Sequence, residues 1–287
     1  MPETLIDKER ARCSFSRSAD SYDEAAVLQR EVSGRMLQRL DLVTLQPRAV
    51  LDLGCGTGGQ AGQLLRRYPQ ARVYALDFAL PMLAHARRKG RWLRRPHCVC
   101  ADMEQLPLAD NSMDLICSSL AFQWAGDPQS LYRECLRVLR PGGLLMFTTF
   151  GPDTLRELRA AWAAVDDHVH VSPFMDMHDL GDILVNSGYA APVMDVERIT
   201  LTYARVDDLM RDLKHIGAHN AATRRQRGLT GKARMQAMRD AYEGFRSEGV
   251  LPATYEVVYG HAWAPEKPQA PGRASVPLDM LSTERAD

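Results

Sequence analysis

Val50-Leu-Asp52-Leu-Gly54-Cys-Gly56-Thr-Gly58-Gly59 decides the fold. An apolar run opens into a cluster of glycines, and an amphipathic stretch, Gln60–Tyr68, follows until Pro69 stops it. That order reads as strand, glycine loop, helix. Glycines there let the turn take left-handed dihedrals and let a ligand lie close to the backbone. The spacing alone is ambiguous, because Gly54, Gly56 and Gly59 also satisfy G-x-G-x-x-G, which would place a pyrophosphate on the helix N-terminus. Asp52 tilts the reading. A carboxylate at the mouth of the site would repel a pyrophosphate, but it suits a ligand carrying an ammonium and a sulfonium.

Outward from this loop, short apolar runs alternate with longer amphipathic stretches from about Ala49 to Phe150, the pattern of βαβ units on a parallel sheet. Strands are expected at Ala49–Leu53, Arg72–Leu76, His97–Ala101, Met113–Ser119 and Leu144–Thr149, the last entered through a sharp Arg140-Pro-Gly-Gly143 turn. Helices are expected at Pro81–Arg88, with proline in the first turn, and after Asp127, which caps a helix whose N1 is Pro128. Asp77 ends the second strand, where a carboxylate accepts from ribose hydroxyls of either cofactor type. Asp102-Met103 ends the third, where an acid accepts from an adenine amino group and an apolar neighbour packs on the ring. Glycine loop, Asp77 and Asp102 thus fall on consecutive strand ends of one crevice.

Beyond Gly151 helices are expected at Asp153–Val165 and Met177–Ser187. Val193–Tyr203 and Thr254–Trp263 read as an antiparallel hairpin that completes the sheet. The domain reading is a helical lead over residues 1–45, a catalytic domain over 46–263 with a helical insertion at about 205–248, and a disordered tail over 264–287. In the lead, Leu28, Val32, Arg35, Met36 and Leu40 stand at helical spacing. The chain is 45% hydrophobic with zero formal net charge, so no global field points to nucleic acid or a membrane surface. Glu3, Asp7 and Glu9 argue against a transit peptide, no apolar run approaches a membrane span, and a cytoplasmic location is expected. The six cysteines read as reduced core residues, and no metal site is expected; Cys98-x-Cys100 is too tight for a zinc knuckle.

Residues 50–150 resemble the class I S-adenosylmethionine (SAM) dependent methyltransferases, with VLDLGCGTG, VYALD, CADMEQLPLADNSMDLI and VLRPGG in that family's order. The resemblance implies a Rossmann-like α/β fold, with a seven-stranded, mostly parallel sheet and helices on both faces. It also implies a cofactor set of Tyr22, Asp52, Gly54, Gly56, Gly58, Asp77, Phe78, Met82, Asp102, Met103 and Ser118. Ala79 stands where the family often has a serine cap, a loss of roughly 1 kcal/mol to the helix. The flanks are more specific. The lead Phe15-Ser-Arg-Ser-Ala-Asp-Ser-Tyr22-Asp-Glu-Ala-Ala-Val-Leu-Gln29-Arg30, with SSLAFQWAGDP, FTTFGPDTLRELR, FMDMHDLGDILVNSGY, PVMDVERITLTY and PATYEVVYGHAWAP, is similar to the malonyl-acyl carrier protein methyltransferases of biotin synthesis over roughly residues 13–264.

That resemblance implies methyl transfer to a malonyl carboxylate on an acyl carrier protein. A carboxylate is ionised at neutral pH, so no catalytic base is required. Candidates to position the acceptor are Tyr22, Arg30, Gln123, Trp124, Phe150, His178, Arg224 and Arg225. Tyr22 reads equally as a lid contact or a core anchor, and Trp124 equally as ordinary packing. Asp153 follows strand five, and His261 reads as a core histidine. Between Arg205 and Asp240 nine Lys/Arg face four acids, and Arg87–Arg95 holds six positive residues, so each is a candidate face for an acidic carrier protein. The competing readings are another small-molecule methyltransferase, a non-catalytic respiratory-complex assembly factor and an NAD-dependent oxidoreductase.

Overall fold

The computed structural model describes residues 6–218, 220–221 and 230–266. Arg224, Arg225 and the tail from residue 267 onward lie outside the described residues. The lead forms α1 (Lys8–Ser18), α2 (Tyr22–Ala25) and α3 (Val27–Arg39). The body then runs β1 (Ala49–Leu53), α4 (Gly59–Arg67), β2 (Arg72–Asp77), α5 (Leu80–Ala86), β3 (His97–Cys100), β4 (Met113–Ser119), α6 (Pro128–Val138), β5 (Leu139–Phe150), α7 (Arg156–Ala163), α8 (Met177–Asn186) and β6 (Ala190–Tyr203). The helices α9 (Val206–His215) and α10 (Lys232–Glu243) precede β7 (Leu251–Trp263). The strands make one sheet in the order β3-β2-β1-β4-β5-β7-β6, parallel through β5 and antiparallel at β7 and β6.

Period-two alternation divides the sheet between two layers of helices. Val50, Val73, Leu115, Leu144 and Val257 face a core shared with α3, α4, α7, α9 and α10. Their strand neighbours Leu51, Ile116, Leu145 and Val258 face the core under α6 and α8. All five residues of β1 are buried, as its position between β2 and β4 requires. Chain order reverses direction on either side of β1, so a crevice opens at the carboxyl ends of β1 and β4.

Two expectations are corrected. The Arg140–Gly143 stretch is part of β5 and not a turn before it. Leu139 already pairs with Met113, the register slips between Met113 and Leu115, and the two glycines exchange backbone bonds with Ala264, so a glycine-relaxed irregularity lets the strand run on. Arg35 lies on α3 as its helical spacing implies, and its guanidinium pairs with Glu31 and Glu197. The cysteines are all free, yet only Cys55, Cys117 and Cys135 are buried, while Cys13 and Cys100 are exposed.

Candidate active site

The glycine loop takes its shape from three positions. Gly54, Gly56 and Gly58 have φ of +72°, +51° and +80°, where a side chain is strained. A Cβ on Gly54 would come within 2.3 Å of the Ala121 Cβ, and one on Gly58 within 2.7 Å of Ala86. Gly59, the third glycine of the dinucleotide spacing, would meet nothing within 4 Å. The close approach that a dinucleotide fold asks of that residue is absent here, so the loop is built on the 54-56-58 spacing.

Asp77 fixes this loop. Its carboxylate accepts from the Gly56 N–H at 2.9 Å and from the Ala79 N–H at 2.8 Å. The second bond holds the residue that leads into α5, while Ala79 gives that helix no side-chain cap. Burial pushes the Asp77 carboxyl up to about 6, against those backbone donors. Asp52 lies deeper than the mouth position its place in the sequence suggests, with only 1% of its surface exposed. One oxygen accepts from Gln60 Nε2 at 2.9 Å, and Gln60 in turn accepts from Ser33 Oγ at 3.0 Å. Its other oxygen, Oδ2, has no partner. Burial, with the nearby Asp77 charge, raises Asp52 to about 8 although the Ala61 N–H and Gln60 oppose this. Two buried acids and an orphaned oxygen fit a cationic ligand, which would pair what the protein leaves unpaired.

The crevice, about 630 Å³, gathers Tyr22, Gly54, Gly56, Asp77, Phe78, Met82, Asp102 and Met103. Asp52 lies on an adjoining recess that also holds Arg30 and shares Tyr22, Gly54 and Gly56. Two members of the sequence-derived set fall elsewhere. Gly58 packs the loop against α5, and Ser118 is fully buried with its hydroxyl donating to Leu53 O at 2.7 Å. Ser119, one step along the alternating strand, lines the crevice instead. Sequence reasoning missed Lys8. Its ammonium bridges Asp102 at 2.8 Å and Glu104 at 2.7 Å, closing the lead over the Asp102 end of the crevice.

A second cavity, about 1350 Å³ including its open mouth, adjoins the first. Phe15, Tyr22, Leu120 and Trp124 line both, and Phe15 meets Trp124 edge-on with ring centroids 5.1 Å apart. Gln123 and Phe150 line the large cavity as well. Gln123 is held at both ends, donating to Leu120 O and accepting from Thr149 Oγ1. The remaining walls are mostly apolar, and no acidic side chain lines the cavity among the described residues. Its basic groups are Lys214 and His170; the latter stacks on Trp162 at 3.7 Å and bonds Asp166 through Nε2 at 2.8 Å. Leu120 and Leu155, both on this cavity, hold positive φ of 50° and 54°, strain of the sort that concentrates at functional sites. Nothing in the sequence marks either leucine.

Other candidates sit apart. His178 is 79% exposed at the start of α8, paired with Asp176 of its own helix cap, and reaches neither cavity. Asp153 pairs with Arg198, and His261 lies on β7, where burial lowers its pKa. The insertion's basic character is reduced by internal pairing: Arg205 and Arg239 meet Asp207, and Arg211 meets Asp208. In the 87–95 run, Lys89 pairs with Asp23 and Arg94 bonds Tyr68 O.

Comparison with known proteins bears on the family and the fold. A family model described as "Methyltransferase domain" matches residues 51–147. The malonyl-[acyl-carrier protein] O-methyltransferase of Laribacter hongkongensis is 57% identical, covering 90% of each chain. That of Coxiella burnetii is 43% identical over 98% of this chain and 99% of its own. Among solved structures, Haemonchus contortus phosphoethanolamine N-methyltransferase 2 in complex with S-adenosyl-L-methionine superposes with a TM-score of 0.53 at 16% identity, covering 87% of this chain and 57% of that one. The YcgJ protein of Bacillus subtilis gives 0.59 at 16% identity, with 83% and 99% covered. The fold is that of the class I methyltransferases.

Proposed function

The chain belongs to the malonyl-[acyl-carrier protein] O-methyltransferase family, and from that premise we propose that it methylates the free carboxylate of a malonyl thioester carried on acyl carrier protein, using SAM. The observation that carries this reading is the common wall of Phe15, Tyr22, Leu120 and Trp124 between an acid-floored crevice and an acid-free cavity. A cationic donor and an anionic acceptor would meet across it.

Bound in the crevice, SAM supplies an electrophilic methyl group on a cationic sulfur. The chain's own residues do the rest. Asp52 Oδ2 is placed to accept from an ammonium, Asp77 from ribose hydroxyls with the lone pairs its backbone donors leave free, and Met103 and Phe78 to pack on a flat ring. Tyr22 and Trp124 close the wall beside the acceptor. The acceptor carboxylate is ionised without help, so no side chain needs to remove a proton. What the cavity provides is alignment and the exclusion of water from the attacking oxygen. Lys214 and His170 are the basic groups that can face that carboxylate, ahead of His178, which lies outside. We place the reaction in the cytosol, which suits six free thiols.

Purified protein incubated with SAM and malonyl-acyl carrier protein should add one methyl's mass to the carrier, read by intact-protein mass spectrometry. Acetyl-acyl carrier protein, which lacks the carboxylate, should gain nothing. Methylation of both carriers, or of neither, defeats the proposal.

A further inference from the structure

Along one face of α1, Arg10, Ser14 and Arg17 recur at helical spacing and turn away from the SAM crevice. Together with Lys214 and His215 at the end of α9 they line a separate exposed groove of about 900 Å³. No acid lines this groove among the described residues, and neither guanidinium meets a carboxylate there. The groove is built rather than incidental. Ser18 Oγ donates to Lys214 O at 3.2 Å, and Ser21 Oγ donates to His215 O at 3.2 Å, tying α1 to α9. Those hydroxyls cover carbonyls at the α9 C-terminus that would otherwise repel an anion. Ser14 Oγ is buried and has no partner, a donor left available. Lys214 also lines the large cavity, so the groove and the cavity share a wall.

Resting on the carrier-protein reading above, we infer that this groove is the subsite for the phosphate of the phosphopantetheine arm, with Arg10 and Arg17 as its charged donors. The arm then passes Lys214 into the cavity. A phosphodiester offers acceptor oxygens to two guanidinium groups and a hydroxyl, the pairing such donors favour. The acidic surface of the carrier protein would approach the same side, where the exposed cations lie.

The test compares malonyl-phosphopantetheine with malonyl-pantetheine, which lacks only the phosphate, and with malonyl-acyl carrier protein. Wild-type protein should show a lower KM for the two phosphate-bearing substrates. Arg10→Ala/Arg17→Ala should erase that preference, raising their KM about tenfold or more with kcat retained, as expected for lost charge-assisted contacts. A SAM-induced melting shift equal to the wild type's would show the variant folded, and Arg10→Lys/Arg17→Lys should restore part of the preference. A variant that keeps the full preference overturns the inference. So does one whose KM rises equally for malonyl-pantetheine, or only for the whole carrier protein. Failure of the carrier reading looks different: wild-type protein would then methylate none of the three.

Discussion

Asp52 is a buried acid that the ligand-free protein pairs incompletely, and its titration should register the ligand's charge. Its ordinary value is about 3.9, whereas in the folded protein it stands near 8, with Asp77 near 6. Between the ordinary and the raised values the folded chain holds protons that the unfolded chain has released. These two acids therefore make the ligand-free protein lose stability as pH rises from about 4 through 8. A cation beside Oδ2 favours the charged carboxylate, so binding at neutral pH should expel a proton. SAM affinity should accordingly rise from pH 6 and level off above 8. Calorimetry in buffers of different ionisation enthalpy should show proton release that Asp52→Asn removes; equal release in the variant would rule out this coupling. Asp52, the glycines and Asp77 were legible in the sequence because each belongs to a local strand-end pattern. Lys8 was not, since its partner Asp102 lies 94 positions away. His170 was not, because its place beside Trp162 depends on an irregular loop. Ser118 was misplaced by one step, and on an alternating strand one step changes the face.

At the scale of the element, α1 joins the two halves of the site. It carries Lys8 to Asp102, places Phe15 against Phe78 and Trp124, and ties to α9 through Ser18. The bridge to Asp102 and Glu104 is half-buried, so screening keeps its worth modest, about 1 kcal/mol or less. Lys8→Met should therefore raise the KM for SAM about two- to fivefold, leave kcat largely intact and quicken amide exchange in α1. Unaltered exchange and KM together would show that α1 is held by its aromatic contacts alone. The apolar spacing that reads as a helical lead, Leu28 to Leu40, falls on α3 and its end; α1's role as a clamp was not legible, since that depends on where the chain folds back. The same local bias turned Arg140–Gly143 into an expected turn. Proline and two glycines read as a break until the neighbouring strand and Ala264 supply the missing partners.

Across the whole molecule, the alternation of apolar runs with amphipathic stretches made the parallel half of the sheet legible, because each βαβ unit is written locally. The order β3-β2-β1-β4-β5-β7-β6 then brings the ends of β1, β2 and β3 to one side, where Asp52, Asp77 and Asp102 converge. The large cavity was not legible, since it is assembled from the lead, the loops after β4 and β5, and the insertion before β7, segments with no common period. A cofactor seated against its wall with the crevice would pack as part of the folded core. A ligand at a hundredfold its Kd stabilises the native state by about 2.7 kcal/mol, which for a chain of this size moves the midpoint by about 5 °C. SAM or its demethylated product should produce that shift in differential scanning fluorimetry, and NAD should produce none. The discrimination follows from charge and from space together: the Oδ2 of Asp52 lacks a donor, and Gly59 lacks the close neighbour that a dinucleotide loop uses. A shift with NAD and none with SAM would mean that the buried acids bind as neutral groups around a diphosphate, and the methyl-transfer reading would fall with them.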